Sequence, residues 1–156
     1  MGIMKPYVTR VGTGIFPSED ESAFTEALCE IGHEYGSVTG RRRRVGIMDL
    51  PMLKYAIDIN GVSEIFITKL DVAIEASDRN HGHYLYVSGY TDPDGTLRDY
   101  FSIDKPINNV SKSLIVQPTY DSIIGLINSF TDGLVAGFTS DQSGEITNIR
   151  KWKRDI

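Results

Sequence analysis

The segment from Asp49 to Asp71, DLPMLKYAIDINGVSEIFITKLD, constrains the fold more than any other part of the sequence. Asp49 is a suitable N-cap, Pro51 falls in the first turn and Gly61 ends the apolar periodicity, so this spacing predicts a helix. A short run of mostly apolar and β-branched residues follows at once, as in a buried parallel strand. A helix, a short turn and a buried strand together predict an α/β protein.

Two polar residues, Lys69 and Asp71, stand where the predicted strand ends. In open α/β sheets, ligand-binding groups cluster just beyond the carboxyl ends of the strands. A carboxylate accepts two hydrogen bonds from the N1–H and the exocyclic amine of guanine, while a lysine stem covers the ring face. The motif TKLD therefore suits guanine, whereas adenine would leave the carboxylate unpaired. Taken alone, the motif is also compatible with a purely structural role, because such strand ends are common.

Four consecutive arginines, Arg41 to Arg44, follow the small-residue stretch GSVTG at positions 36–40. Such a loop exposes backbone N–H groups and hydroxyls, and guanidinium groups add planar donors, which together suit carboxylates or phosphates. Four successive side chains cannot all face one way, so we expect some to reach a ligand and the others to pair with acids. From spacing alone, a solvated basic run, a small-anion site and a nucleic-acid patch all stay open.

Composition narrows these alternatives. The 156 residues carry a formal net charge of −5, and an acidic balance argues against general nucleic-acid binding. Cys29 is the sole cysteine, which excludes an internal disulfide and fits a small packed residue in a reducing compartment. No apolar stretch approaches the roughly 20 residues of a membrane helix, and the N-terminus lacks a signal-peptide core. We expect one domain over residues 1–156, located in the cytoplasm, with neither membrane nor nucleic acid as a partner.

Turn residues and periodicity predict that the rest of the chain mixes helices with antiparallel strands. The pair His81 and His83 has no third ligand at a suitable spacing, so no metal site is predicted. The predicted elements are a helix within 18–36, a β-hairpin at 83–103, a loop at 105–113, a helix at 119–133 and strands at 134–138 and 145–150.

Three motifs in a fixed order resemble the C-terminal part of adenylosuccinate synthetase. They are TRVGTGIFPSE at 9–19, GSVTGRRRR at 36–44 and TKLD at 68–71, which are similar to the family's T-R-V-G-x-G-P-F-P-T-E, its arginine-rich loop and its T-K-L-D. The similarity is close over the first half of the chain and loose beyond it. The resemblance implies the C-terminal part of a P-loop NTPase-like α/β fold, with a mixed sheet, helices and a β-hairpin.

The resemblance also implies a function in purine nucleotide biosynthesis. The family ligates IMP and L-aspartate to adenylosuccinate with GTP and Mg²⁺, and the complete enzyme is expected to be a homodimer. In this sequence Arg41 corresponds to an arginine shared by aspartate and IMP, Arg43 to one that reaches toward GTP, and Arg42 to a position where many members have proline. The implied aspartate and IMP loop comprises Ser37, Val38, Thr39, Gly40, Arg41, Arg42 and Arg43.

A second group of positions resembles the family's GTP site. Besides Arg43, the implied guanine contacts are Lys69, Leu70 and Asp71, with Gly137, Phe138 and Thr139 as weaker candidates. The weaker three begin the segment GFTSDQSGEI, which lacks the glycine and proline of the family's loop that closes over guanine.

The family's first half has no counterpart in this sequence. It supplies the G-D-E-G-K-G-K phosphate loop, the catalytic aspartate and histidine and most IMP contacts, so we expect neither catalytic residues nor metal ligands here. The chain alone is then expected to be inactive without the N-terminal half. Two origins stay open: a half-enzyme that works with a separately encoded N-terminal half, and a truncated gene product. Two alternatives stay open: a non-catalytic nucleotide- or anion-binding remnant, and a phage-type relative acting on dGMP. The phosphate donor also stays open. A fragment cut inside a sheet is expected to have an unpaired edge and apolar surface, which predicts self-association or a strong need for a partner.

Overall fold

The computed structural model describes residues 1–139 and the strand residues 146–148. The helices are α1 (Ala23–Ile31), α2 (Leu50–Asn60), α3 (Leu70–Asp78) and α4 (Tyr120–Thr131). The strands are β1 (Gly2–Met4), β2 (Tyr7–Arg10), β3 (Arg44–Asp49), β4 (Ile65–Ile67), β5 (His83–Thr91), β6 (Leu97–Arg98), β7 (Asn109–Val116), β8 (Val135–Thr139) and β9 (Ile146–Asn148).

The first sheet has the order β1-β4-β8-β9, in which β4 pairs in parallel with both β1 and β8. Strand β9 runs antiparallel to β8. Ile65 and Ile67 of β4 are buried, which confirms the short buried parallel strand predicted from the sequence. Because β1, β4 and β8 run the same way, their carboxyl ends lie at one edge of this sheet.

The second sheet is built around β5, which pairs in parallel with β3 and antiparallel with β6 and β7. Strand β2 lies antiparallel to β3. The β5–β6 pairing confirms the predicted hairpin. The loop predicted at 105–113 is wrong in part, because Asn109–Val116 forms β7. This strand is partly exposed and four of its first five residues are polar, so that part resembled a loop although its register against β5 is nearly continuous.

Local capping signals set the helix ends. The side chain of Asp49 accepts a hydrogen bond from Met52 N at 3.1 Å, and Gly61 ends α2 in the left-handed conformation (φ 60°), as predicted. Ser22 caps α1, which ends at Gly32. Helix α3 was not predicted, because it starts directly after the strand motif without a side-chain cap.

One hydrophobic core joins both sheets and all four described helices. Phe24, Tyr84 and Tyr90 are among its largest fully buried side chains, and the predicted packed cysteine, Cys29, lies in it. The Tyr84 hydroxyl donates to the carbonyl oxygen of Pro6 at 2.6 Å, where the chain passes from the first sheet to the second. Among the described residues, no helix is both long and apolar enough to cross a membrane.

Candidate functional site

The carboxyl end of β4 holds Lys69 and Asp71 in a defined geometry. Thr68 N and Thr68 Oγ1 both donate to Met4 O, at 2.8 and 3.2 Å, which fixes the strand end against β1. Lys69 then adopts the left-handed conformation (φ 57°), and its N–H donates to Thr139 Oγ1 at 3.3 Å. The chain thus turns sharply from strand into helix at the carboxyl end of β4, between the ends of β1 and β8. The sequence predicted a ligand at this position.

Asp71 lies in the first turn of α3, where a carboxylate is favoured by the helix dipole. Its Oδ1 atom is buried and has no hydrogen-bond partner among the described residues. A buried carboxylate oxygen without a donor is costly, and such orphaned atoms in native structures call for an explanation. A ligand that supplies N–H donors at this point would satisfy the oxygen.

Four charged side chains and one tyrosine adjoin this strand end. They are centred on Glu34, and we call them the Glu34 cluster: Lys5, Tyr7, Glu34, Arg43 and Lys69. Glu34 Oε1 accepts from Tyr7 Oη at 2.5 Å, from Lys69 Nζ at 3.0 Å and from Lys5 Nζ at 3.2 Å. Glu34 Oε2 accepts from Arg43 Nη1 at 2.7 Å. Three cations therefore surround one carboxylate that is itself completely buried.

The electrostatics of the Glu34 cluster favour the ionised carboxylate. Burial alone would raise the pKa of Glu34, but hydrogen bonds from Tyr7, Arg43 and Lys69 outweigh it and lower the pKa to about 2. Burial lowers the pKa of Lys5, even though the negative charge of Glu34 opposes that shift. Burial and the hydrogen bond to Glu34 both raise the pKa of Tyr7. Glu34 is thus a permanent acceptor at neutral pH, and Tyr7 is a permanent donor.

The predicted aspartate and IMP loop follows Glu34 in the chain and ends at Arg43, so both of its ends lie at the Glu34 cluster. Arg43 N donates to Glu34 O at 2.9 Å and Gly36 N donates to Arg41 O at 2.8 Å, so two backbone bonds close the base of the loop. Gly40 has φ 66°, a conformation suited to glycine. Val38 is 95% exposed at the tip. Ser37 and Thr39 are also exposed, and Thr39 Oγ1 accepts a hydrogen bond from Arg41 N at 3.3 Å within the loop.

The four arginines divide into paired and unpaired side chains. Arg42 forms an exposed ion pair with Glu26 at 2.7 Å. Arg44 binds Glu19 at 2.6 Å and the carbonyl oxygens of residues 12 and 14 at 2.9 Å. These pairs confirm that some of the run pairs with acids elsewhere. Within the part of the chain that the structure describes, no ion pair involves Arg41, and its side chain is exposed.

The remaining predicted guanine contacts lie near Lys69 but present little side chain. Leu70 is fully buried and Phe138 is 2% exposed, so neither side chain is available to a ligand. Gly137, Phe138 and Thr139 belong to β8, not to a loop, and Thr139 is tied to Lys69 through the bond described above. Most of the segment that follows them, residues 140–145, lies outside the described residues.

Sequence reasoning missed Glu34, Lys5 and Tyr7, because no pattern marks a lone glutamate after a helix as the partner of distant basic residues. The exposed His81 lies outside the Glu34 cluster. In residues 1–139 and 146–148, no group of three or more His, Cys, Asp or Glu side chains is arranged to hold a metal ion.

Comparison with known proteins identifies the family of this fold and site. The sequence model for adenylosuccinate synthetase matches residues 1–126. The chain belongs to the adenylosuccinate synthetase family. The fold agrees: the solved structure of fully ligated adenylosuccinate synthetase from Plasmodium falciparum superposes with a TM-score of 0.73 at 25% identity, over 88% of this chain and 36% of that chain.

Curated adenylosuccinate synthetases show where the similarity is concentrated. The protein from Chlorobium limicola is 56% identical over 72 residues, which are 46% of this chain and 17% of that relative. The protein from Thermoplasma acidophilum is 39% identical over 129 residues, which are 80% of this chain and 26% of that relative. The chain therefore spans about a quarter or less of the length of these relatives.

Proposed function

We propose that this chain forms the aspartate- and guanine-binding portion of an enzyme that joins IMP and L-aspartate to adenylosuccinate at the expense of GTP. One observation carries the proposal: the orphaned Oδ1 of Asp71 lies at the carboxyl end of β4, two residues beyond a lysine fixed by hydrogen bonds. Family membership supplies the reaction class.

The chemistry of guanine fits this pair. The N1–H and the exocyclic amine are two adjacent donors, and a carboxylate such as that of Asp71 can accept both. The Lys69 ammonium is bound to Gly32 O at 2.9 Å and to Glu34, so its aliphatic stem is held in place to cover a ring face. Adenine offers no matching donors and would leave Asp71 unsatisfied, a penalty that gives strong discrimination.

The neighbouring charges suit anionic substrates. Three cations against Glu34 leave the cluster with two uncompensated positive charges, and the side chains of Arg43 and Lys69 remain about a third exposed. The exposed loop adds the backbone N–H groups of residues 37–39 and the guanidinium of Arg41, whereas the N–H groups of Gly40 and Arg41 are bound within the loop. Fixed donors of this kind hold carboxylates and stabilise the charge of a phosphoryl group in transfer.

The proposal assigns no Mg²⁺ ligand to the described residues, because they include no cluster that suits a metal ion. It also assigns them no general base. The residues of this chain bind and orient substrates, and we propose that the phosphate loop, the metal and the catalytic groups come from the remaining part of the family fold, in a homo-oligomer in the cytoplasm.

Titration calorimetry tests the binding part of the proposal. We expect the chain to bind GDP and to bind ADP at least about tenfold more weakly, because ADP leaves Asp71 unpaired. Equal affinities would contradict guanine recognition. Asp71→Ala should abolish the preference, whereas Asp78→Ala, an exposed aspartate on the same helix, should keep it.

A complementation assay tests the catalytic part. Mixing the chain with the N-terminal portion of a family enzyme should produce adenylosuccinate from IMP, L-aspartate and GTP, followed by its absorbance. A mixture that forms complexes but yields no product with IMP would overturn the proposed reaction. Product formed with dGMP instead of IMP would reassign the purine substrate.

A further inference from the structure

Glu34 occupies an unusual position for a glutamate. It follows α1 after His33, which adopts the left-handed conformation (φ 52°), and its N–H returns to Cys29 O at 3.0 Å. This turn points the side chain inward, where none of it is exposed. Burying a carboxylate is costly unless several donors compensate, so a residue in this position is expected to have a specific role.

The two oxygens of Glu34 serve the two halves of the proposed site separately. Oε1 binds Lys69, which lies at the carboxyl end of β4, where guanine is proposed to bind. Oε2 binds Arg43, which ends the predicted aspartate and IMP loop. Backbone atoms repeat this link, because Arg43 N donates to Glu34 O. One rigid carboxylate therefore sets the separation and orientation of two cations from distant parts of the sequence.

The carboxylate itself is immobilised. Tyr7 donates to Oε1 from β2, and Lys5 contacts the same oxygen from the β1–β2 connection. Lys69 also donates to Gly32 O, so two of its three ammonium N–H groups are used within the protein. Both carboxylate oxygens of Glu34 accept their hydrogen bonds from the protein. A ligand would therefore contact the exposed parts of Arg43 and Lys69 while both side chains stay bound to Glu34.

Neutralisation does not explain this arrangement, because three cations face one anion. Without Glu34, three like charges would remain close together and repel one another. The three basic side chains would then move toward solvent, and the Lys69 ammonium would no longer be held beside the carboxyl end of β4. Glu34 thus keeps an excess of positive charge concentrated next to the Asp71 acceptor.

We infer that Glu34 is a positioning residue that couples the two parts of the nucleotide site, so that the base and the anionic groups of one guanosine nucleotide are bound together through Lys69 and Arg43. This inference rests on the proposed function. It assigns Glu34 no contact with the nucleotide and no part in proton transfer.

The first test needs no nucleotide. In the unchanged chain, the ¹⁵Nζ signal of the Lys69 ammonium should be observable by NMR, because its hydrogen bonds slow exchange with water. Its assignment would come from the loss of one signal in Lys69→Arg. Glu34→Gln should return the Lys69 signal to that of a solvent-exposed lysine, while Glu30→Gln, an exposed glutamate near the end of α1, should not. A Lys69 signal already averaged with solvent in the unchanged chain would overturn the inference, whether or not the variants fold.

The second test measures coupling with GDP. Glu34→Gln should weaken GDP binding about tenfold, and Lys69→Met should weaken it similarly. The double variant should bind GDP little more weakly than either single variant, because Glu34 acts through Lys69. A merely structural role, independent of Lys69, would give losses in GDP affinity that multiply in the double variant, and this result would overturn the inference.

The two tests separate the inference from the proposed function. Suppose that the unchanged chain binds no GDP although Glu34 holds the Lys69 ammonium. The proposed function and the nucleotide part of the inference are then both overturned, and the ion pairs of Glu34 have only a structural role. If GDP binds and Glu34→Gln leaves both its affinity and the Lys69 signal unchanged, the inference alone is overturned.

Discussion

The Lys69 ammonium and the Arg43 guanidinium bind different oxygens of the same buried carboxylate, that of Glu34, at 3.0 and 2.7 Å. Lys69 follows β4 in the first sheet, and Arg43 precedes β3 in the second. The two basic motifs of the sequence are therefore joined by a residue that belongs to neither. This relationship predicts that the stability of the chain, and the nucleotide binding proposed for it, depend on Glu34.

The first prediction concerns acid stability. The pKa of Glu34 is about 2 in the folded chain, against an ordinary value of 4.5. Its stabilising effect is therefore complete above pH 4.5 and is lost as the pH falls from 4.5 to 2, because the unfolded chain takes up the proton first. The difference corresponds to about 3 kcal/mol. Denaturant unfolding at a series of pH values should show this loss in the unchanged chain.

Asp20 also contributes to the pH dependence, because burial is outweighed by hydrogen bonds and charge pairing, which lower its pKa. Variants are therefore needed to isolate the contribution of Glu34. Glu34→Gln should be less stable at neutral pH and should lose less stability between pH 4.5 and 2. Glu30→Gln should retain the pH dependence of the unchanged chain. Identical pH dependence in all three chains would show that Glu34 is not the group responsible.

The second prediction concerns base specificity. Asp71→Asn replaces one acceptor oxygen with an amide donor, so it should weaken GDP binding about tenfold or more. The same change should improve the binding of xanthosine diphosphate, in which a carbonyl oxygen replaces the exocyclic amine of guanine. Competition titrations with the two nucleotides measure this switch. Asp78→Asn is the matched control. If Asp71→Asn weakened the binding of both nucleotides, the site would be damaged and the prediction of changed base recognition would be wrong.

The third prediction concerns the arginine run. Arg41→Leu should abolish the use of L-aspartate in the complemented enzyme, because its exposed guanidinium is available to a ligand. Arg42→Leu removes only an exposed ion pair with Glu26, and such pairs add little to stability. It should therefore leave the KM for aspartate unchanged. Equal losses in the two variants would mean that the run contributes general positive charge.

Local signals explain which parts of this structure could be predicted from the sequence. The caps of α2 and the apolar run of β4 depend on neighbouring residues, and the position of Asp71 at the strand end follows from them. Strand β7 was missed because its polar, half-exposed composition takes its structure from pairing with β5. The role of Glu34 was missed because its four partners come together only through the tertiary fold.

The fourth prediction concerns the junction of β3 and α2. Asp49 is 2% exposed, caps α2 and accepts from Tyr90 Oη at 2.6 Å through Oδ1, while burial raises the pKa of Asp49. Tyr90→Phe removes this donor from a buried carboxyl group and should cost about 1–3 kcal/mol of unfolding free energy. Thermal or denaturant unfolding measures the loss. Tyr86→Phe, on the same strand, is the control and should change stability less.

The fifth prediction concerns the edge strand β1, which pairs only with β4 among the described residues. Ile3 on this strand is 70% exposed, and a groove beside it is lined by residues that include Leu53 and Val62. An unpaired edge with exposed apolar side chains favours association with another chain. We expect the chain to self-associate in light scattering at high concentration and Ile3→Lys to reduce this association. Ile59→Lys, an exposed apolar position on α2, should reduce it less, and a clean monomer at high concentration in the unchanged chain would contradict the prediction.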